Sequence, residues 1–474
     1  MRNLSLVLEK GLFFLIVFLF AFIPLYPKFP LLNVGGTFVA IRLEDVLILG
    51  VVALWGIYIT LSGQIKNLFK DKLNMALLLF FSISLLSVFS ANFITHSVVS
   101  HLSLLHWARR VEFMILLPLV ATVIKSKKQL LIALSCFSLV VLLVNIYALG
   151  QQYLGWKVIS TTNSEFSKGL ILTLSPGARV NSTFAGHYDL GVFLAMSLVI
   201  LLALFFASKN IFTKFYIVFL STLSLWVLIM TAARLSFVAA VIGAFSTLIF
   251  LKKRLFILFL IILLVGIMAY PSQLRERLVS TVTINILNLG QRYEGQTEDQ
   301  RQRSKLNIPT VAIKTSSQSA KSATFSTDSA QTATDIAPGE PLDTTQLGVY
   351  RSFEIRLNIE WPRAINALLK NPLLGTGYSS IDIATDNDIL RSLGEVGLLG
   401  TIAFGLVLIE VTKRVRYIFK KNDDKFVKIF SAGILAMILA FLLNSLFIDV
   451  FEASKVASLF WMMLGLCLAT LKFR

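Results

Sequence analysis

The chain has 474 residues, of which 56% are hydrophobic and only 15% are charged, and its mean hydropathy is +0.77. This composition excludes a water-soluble globular protein and predicts a membrane protein. The net charge of +18 does not indicate a nucleic-acid partner, because residues 271–391, the longest polar segment, carry 13 basic and 13 acidic residues. Cys136 and Cys467 both fall in apolar runs, so no disulfide framework is predicted.

Apolar runs of about 17–25 residues, long enough to cross a bilayer as helices, recur along the chain. Twelve such runs lie near 8–26, 43–62, 73–93, 104–124, 129–149, 188–207, 213–232, 234–251, 254–270, 392–412, 427–447 and 455–472. We therefore predict an all-α fold with nine transmembrane helices in residues 1–270, a large extracytoplasmic loop over 271–391 and three helices in 392–474. The first run has no small-residue cleavage site, which predicts a retained helix instead of a signal peptide.

Lysine and arginine are concentrated in every second loop, near residues 66–72, 125–128, 209–214, 252–254 and 413–428. Cytoplasmic loops of membrane proteins carry the excess of basic residues. This pattern predicts that both termini are cytoplasmic and that loop 271–391 is outside.

Charged residues inside or beside the spans are the first candidates for function. Arg109, Arg110 and Glu112 fall in the fourth predicted span. An Arg–Glu pair that locks two helices, or arginines reaching the outer interface, is the structural alternative to a functional role.

Two polar elements stand at the outer ends of later spans. The sequence ARVNSTFAGHYDLG contains Arg179, His187 and Asp189 just before the sixth span. A satisfied interfacial hydrogen bond would account for His187, and a helix N-cap would account for Asp189. Arg234 lies in the short hairpin between the seventh and eighth spans, either as an interface anchor or as an anion-binding residue.

The extracytoplasmic loop divides into two parts. Residues 296–346 are rich in Ser, Thr, Gln, Ala and Asp and poor in aromatic residues, so they are predicted to be a flexible low-complexity insert. Residues 349–391 begin with a charged amphipathic segment whose polar residues follow at steps of four, three and seven. A regular helix places these residues on one face: Arg356, Glu360, Arg363 and Lys370.

The rest of residues 349–391 predicts a turn and a new helix. Asn371-Pro372 ends the amphipathic helix, and the glycines in NPLLGTG predict a tight turn. Asp386-Asn387-Asp388 supplies an N-cap and a first-turn acid for the tenth span. Arg391 and Glu395 follow within this helix, and Glu395 is interpreted either as a buried hydrogen-bonding group or as an active one.

Glycines recur every three residues where the tenth span begins. This spacing of Gly394, Gly397 and Gly400 predicts one helix face cleared for close packing.

Three separated motifs occur in an informative order: RLNIEW, then NPLLGTG, then DNxxLxxLxExGLLG. Together they resemble the signature loop of the bacterial O-antigen ligase and O-antigen polymerase superfamily. The element around Arg179 and His187 is similar to a second family element, although His187-Tyr188-Asp189 stands where other members often carry Asn-Pro-Asn. Arg234 resembles the arginine of the family's Thr-x-Ser-Arg element, with Ala233 in place of the serine.

The resemblance implies a glycosyltransferase of the bacterial cytoplasmic membrane. It would transfer or polymerise glycan from an undecaprenyl-pyrophosphate-linked donor on the outer face, with inversion, onto a glycan or lipid acceptor. Arginines suit the leaving pyrophosphate because they stay charged and bind phosphate oxygens as a fork. A carboxylate suits the acceptor proton.

The site residues implied by the resemblance and this chemistry fall into three sets. The donor pyrophosphate set is Arg179, Arg234, Arg356 and Arg363, the catalytic set is Asp386, Asp388 and Glu395, and the set of further candidates on the acceptor side is His187, Asp189 and Arg391. Although Asp386-Asn387-Asp388 has Asp-x-Asp spacing, it fits a helix start better, so we expect metal-independent transfer without a cofactor. Family ligases typically show His-Asn where this chain has Asp386-Asn387, which favours a polymerase over ligase-type transfer.

Two other classes of function are open at the level of sequence. A transporter or flippase typically places its charged groups near the membrane midplane within paired repeats. No such repeat is evident here. A non-catalytic assembly scaffold would not need Arg234 and the arginines of loop 349–391 to meet at one site.

Overall fold

The computed structural model describes residues 2–35, 40–159, 171–174, 178–283, 332–333, 352–381 and 384–473. Apart from residues 332–333, the predicted insert at 296–346 lies outside this part of the chain. The helices are α1 (Arg2–Leu25), α2 (Leu43–Leu61), α3 (Ile65–Lys70), α4 (Lys72–Phe93), α5 (Ser100–Val123), α6 (Lys127–Tyr153), α7 (His187–Ala207), α8 (Ile211–Met230), α9 (Arg234–Phe250), α10 (Arg254–Ala269), α11 (Gln273–Thr283), α12 (Trp361–Lys370), α13 (Asp388–Lys421), α14 (Lys425–Ser445) and α15 (Ser454–Ala469).

Strands are few and short in the described residues. β1 (Pro30–Leu32) pairs antiparallel with β2 (Ile41–Arg42). β4 (Ile171–Leu174) lies between an antiparallel β3 (Val158–Ile159) and a parallel β5 (Thr332–Ala333). The predicted all-α class is therefore confirmed.

Nine of the described helices are long and apolar enough to cross a bilayer, and a tenth span results if α10 and α11, which meet at a 97° bend, are counted together. The protein is thus a multi-pass membrane protein. A helix is present at each of the twelve predicted spans. Two of these helices are not among the candidate spans: α5 carries the charges of Arg109, Arg110 and Glu112, and α9 has only 17 residues. The count of twelve spans therefore stays a prediction.

Burial divides the bundle into inner and outer helices. The share of residues that are buried, taken over the most apolar stretch of a helix, is 94% in the last span, 72% in α7 and 67% in α14. Helix α10 contributes no buried residue. The last span is therefore the centre of the bundle, and α10 presents its apolar side chains to lipid.

The basic loops meet at one end of the bundle. Side chains from three of them and from α1 form ion pairs there: Lys125–Glu9 at 2.5 Å, Lys127–Asp424 at 2.5 Å and Arg414–Asp71 at 2.8 Å. We call this the lysine-rich end. Its contacts agree with the alternation of charge along the chain, and its cytoplasmic position stays a prediction.

The charges of α5 lock helices together at the opposite end. An Arg109 guanidinium nitrogen lies 2.7 Å from an Asp45 carboxylate oxygen, and Arg110 pairs with Glu452. These pairs agree with the structural interpretation of these arginines, although their partners lie on other segments and neither partner is Glu112.

Candidate functional site

A break in α13 organises the site. Gly397 has φ 67° and ψ −171°, which interrupts the helix. The turn after α12 fills the gap with backbone hydrogen bonds, since Thr376 N–H donates to the Gly394 carbonyl at 2.9 Å and Leu398 N–H donates to the Pro372 carbonyl at 2.9 Å. The turn predicted from NPLLGTG is present, and it completes the hydrogen bonding that α13 loses at its break.

Two glycines make this contact possible. A Cβ atom on Gly397 would lie 2.4 Å from the Leu373 carbonyl oxygen, and one on Gly375 would lie 2.5 Å from the Glu395 carbonyl carbon. Both glycines also have positive φ angles. The prediction that Gly394, Gly397 and Gly400 clear one continuous helix face is therefore wrong, because the helix bends at Gly397 to receive the turn.

The acidic sequence before α13 has three separate roles. Asn387 is the N-cap, since its side-chain oxygen accepts from Leu390 N–H at 2.9 Å. Asp388 is buried and accepts from the backbone N–H groups of Val450 at 2.9 Å and Phe451 at 3.3 Å. The predicted helix start is confirmed, and Asp386 takes no part in capping it.

Asp386 faces the charged segment instead. Its side chain is 32% exposed, and one carboxylate oxygen lies 2.6 Å from an Arg356 guanidinium nitrogen. The same guanidinium donates to the Ser352 carbonyl at 3.1 Å and the Phe447 carbonyl at 3.4 Å. Arg356 therefore contacts three segments, which a simple surface pairing of Arg356 with Glu360 would not require.

Several buried polar atoms around this ion pair have no hydrogen-bond partner among the described residues. They are Arg356 Nε, Glu360 Oε2, Trp361 Nε1 and Thr385 Oγ1. Unpaired buried polar atoms cost free energy, and native structures retain them mainly where a ligand, ion or water completes the bonding. This cluster is the principal sign of a binding site.

Two carboxyl groups of this site hold protons more tightly than usual. Burial raises the pKa of Glu360 to about 7, and the neighbouring Asp386 charge adds to the effect. Burial also raises the pKa of Asp386, and the Arg356 charge partly opposes that shift. Carboxyl groups with raised pKa values are suited to proton transfer near neutral pH.

Arg234 lies near arginines from three other segments. Arg234, the first residue of α9, lies within electrostatic range of Arg179, Arg277 and Arg356, and it donates to the Thr281 hydroxyl. Because like charges repel, such a group is stabilised by an anion placed among its members. The structure thus brings together three of the four predicted donor-binding arginines and adds Arg277.

His187 and Asp189 belong to the first turn of α7. An Arg179 guanidinium nitrogen lies 2.7 Å from His187 Nε2, which agrees with the hydrogen-bonding interpretation of this histidine. The expected N-cap role of Asp189 is wrong, because Gly186 is the N-cap and Asp189 lies 3.9 Å from the Lys28 ammonium.

Arg363 departs from the predicted common face. Residues Arg356–Glu360 form a π-helical turn, with Trp361 N–H donating to the Arg356 carbonyl, and this wider turn shifts the angular position of later residues. Arg363 and Lys370 consequently line a separate pocket of about 450 Å³, whereas Arg356 contacts Asp386.

Arg391 and Glu395 lie in a buried ion network next to the α13 break. Arg391 is 2.8 Å from Asp449 and 3.5 Å from Glu395, and the two α13 residues, Arg391 and Glu395, are almost fully buried. Asp449 also accepts from the N–H groups of Thr385 at 2.8 Å and Asn387 at 3.1 Å. This network fixes the loop that carries Asp386.

Sequence reasoning missed three contributors to the site. The sequence pattern assigns Glu360 no role beyond its place on the common helix face, does not single out Arg277, and includes Trp361 only within the RLNIEW motif. The helical spacing of Glu360 from Arg356 was a signal in the sequence, but no local pattern indicates that α11 brings Arg277 here.

The described residues contain no group of three His, Cys, Asp or Glu side chains placed to hold a metal ion. No protein-family model matches this chain, and no curated protein matches it.

Proposed function

We propose that this protein is a membrane glycosyltransferase that acts on a polyprenyl-pyrophosphate-linked oligosaccharide and extends a glycan in the manner of a polymerase. The observation that carries the proposal is the Arg356–Asp386 pair, surrounded by unpaired buried polar atoms and further arginines. The resemblance of the three motifs to the O-antigen ligase and polymerase superfamily supports the same chemistry. Undecaprenyl pyrophosphate is the carrier that this resemblance implies.

The arginine group is suited to the leaving pyrophosphate. When the bond between the anomeric carbon and the phosphate oxygen breaks, its electron pair stays on that oxygen and negative charge develops there. Guanidinium groups of Arg234 and Arg356 stabilise this charge most strongly in a poorly hydrated site.

Asp386 is the best-placed base of the three acidic candidates. Asp388 is occupied by two backbone N–H groups and Glu395 is enclosed beside Arg391, whereas Asp386 is about one-third exposed. Its carboxylate accepts the proton of the acceptor hydroxyl while that hydroxyl oxygen attacks the anomeric carbon from the side opposite the pyrophosphate, which inverts the configuration.

The resting ion pair couples the two halves of the reaction. While the two are paired, the Arg356 charge opposes part of the rise that burial causes in the pKa of Asp386. A pyrophosphate that takes over the Arg356 guanidinium releases Asp386 and makes it a stronger base. Asp386 then becomes an effective base only when the donor is bound.

Reconstitution into liposomes tests the proposal. The protein is supplied with an undecaprenyl-pyrophosphate-linked oligosaccharide, and the lipid-linked products are measured by mass spectrometry. We expect longer glycans on the carrier together with free undecaprenyl pyrophosphate. Transfer to a separately supplied acceptor would indicate a ligase, and movement of unchanged donor between leaflets would indicate a flippase. No release of undecaprenyl pyrophosphate under any condition contradicts the proposal.

A further inference from the structure

Helix α12 and the π-helical turn before it border a pocket that does not include Arg356 or Asp386, which we call the α12 pocket. Its volume of about 450 Å³ lies within the roughly 300–1,000 Å³ typical of ligand sites. Its lining residues are Ser97, Asn358, Ile359, Pro362, Arg363, Asn366, Ala367, Lys370, Thr376 and Ser380. None of the described lining residues is acidic.

The charged and amide side chains of this pocket are available to a ligand. In the described part of the chain, no hydrogen bond or ion pair to protein occupies the side chains of Asn358, Arg363, Asn366 or Lys370. Lys370 has no acidic residue three or four positions away in sequence, and Arg363, although it lies three residues after Glu360, makes no ion pair with it in the described residues. Here the two cations face an open pocket together with two amides.

The floor of the pocket is fixed by the same turn that enters the α13 break. The Ser97 hydroxyl donates to the Thr376 carbonyl at 2.7 Å, and the Thr376 and Ser380 hydroxyls are 2.7 Å apart. A ligand in this pocket would therefore touch the turn that fills the α13 break.

We propose that the α12 pocket binds an acidic stretch of the acceptor glycan, an assignment that rests on the proposed glycosyltransferase function. Arg363 and Lys370 supply charge for a carboxylate. The amides and hydroxyls can both donate and accept hydrogen bonds, as neutral sugar hydroxyl groups require. A phospholipid headgroup would use the two cations but leave most of these amide and hydroxyl groups without partners.

A binding titration tests this site without requiring transfer. The purified protein is placed in phosphatidylcholine nanodiscs and titrated with a trisaccharide of galacturonic acid, with maltotriose as the neutral probe of equal length. We expect binding of the acidic probe, weakened by salt because the cations are exposed, and much weaker binding of maltotriose.

Two double variants localise the binding. Arg363→Gln with Lys370→Gln is expected to weaken binding of the acidic probe about a hundredfold or more, the loss expected when two charged hydrogen bonds are removed. The matched control, Arg416→Gln with Lys420→Gln, removes two exposed cations at the lysine-rich end of α13 and should change nothing.

Three results would overturn the inference. They are equal binding of the two trisaccharides, equal effects of the two double variants, or binding only of phosphatidylglycerol through Arg363 and Lys370 when that lipid is added to the nanodiscs. Absence of acidic-glycan binding would contradict this inference but not the proposed function, which the transfer assay tests separately. Conversely, binding without any transfer would contradict the proposed function and not this pocket.

Discussion

Asp386 and Arg356 form an ion pair between segments that are 30 residues apart in sequence, and this pair is central at the residue scale. If Asp386 is the base, Asp386→Asn keeps the shape of the side chain but removes its capacity to take a proton. We expect donor binding to persist while the chemical step slows by roughly 10²–10⁴-fold, measured by single-turnover transfer in liposomes. Asp423→Asn at the lysine-rich end is the control. Full activity of Asp386→Asn would leave Glu360 as the base to test.

Glu360 predicts a pH dependence of stability. Its pKa is raised by burial to about 7 from an ordinary value of 4.5, so the folded state binds this proton more tightly than the unfolded state does. Its contribution is therefore fully present below about pH 4.5 and is lost as the pH rises towards 7.

The corresponding measurement compares thermal unfolding of the wild type and Glu360→Gln in detergent between pH 5 and pH 8. We expect the Tm of the wild type to fall more steeply with rising pH than that of the variant, which cannot ionise. Parallel curves would show that Glu360 ionises as readily in the folded protein as in the unfolded chain.

At the scale of elements, the break in α13 and the turn that fills it are one unit. Gly397→Ala places a methyl group against the Leu373 carbonyl and disfavours the positive φ angle, so we expect a loss of about 1–3 kcal/mol and of activity. Gly405→Ala is the matched control, because the same helix leaves open space at that residue. Thermal unfolding and the yield of folded protein measure both. Equal behaviour of the two variants would contradict the proposed backbone contact.

Sequence patterns predicted the elements better than their junctions. Hydropathy located the helices, the asparagine and acids located the start of α13, and the glycines of NPLLGTG located the turn. The π-helical turn at Arg356–Glu360 was not predictable, because an extra residue per turn leaves no mark in local spacing and yet separates Arg363 from Arg356. The break at Gly397 was missed since its cause is a backbone segment 20 residues earlier in the chain.

At the scale of the whole molecule, charge separates the two ends of the bundle. The lysine-rich end holds simple ion pairs, and the opposite end holds the arginine group and Asp386. This arrangement agrees with the proposal that the site faces the compartment where a lipid-linked donor arrives. The positive-inside pattern predicts a cytoplasmic position for the lysine-rich end.

Labelling single cysteines in intact cells tests that orientation. A cysteine at Leu369 should react with a membrane-impermeant maleimide added outside, and a cysteine at Lys209 should react only after permeabilisation. The wild type is the background control, because Cys467 is buried and Cys136 is partly buried within a span. The reverse pattern of labelling would place the candidate site in the cytoplasm.

The central claim is that the Arg356 fork binds the leaving pyrophosphate. One comparison distinguishes this role from that of a purely structural ion pair. Arg356–Asp386 and Arg414–Asp71 are both Arg–Asp pairs, at 2.6 and 2.8 Å, on opposite ends of the bundle. Lysine keeps the charge at either position but loses the fork.

The measurement is the rate of undecaprenyl pyrophosphate release from the lipid-linked donor by Arg356→Lys and Arg414→Lys, at matched amounts of folded protein in liposomes. We predict a loss of about 10–100-fold for Arg356→Lys, the value of one charged hydrogen bond in the transition state, and wild-type release for Arg414→Lys. Equal rates for the two variants would contradict the account.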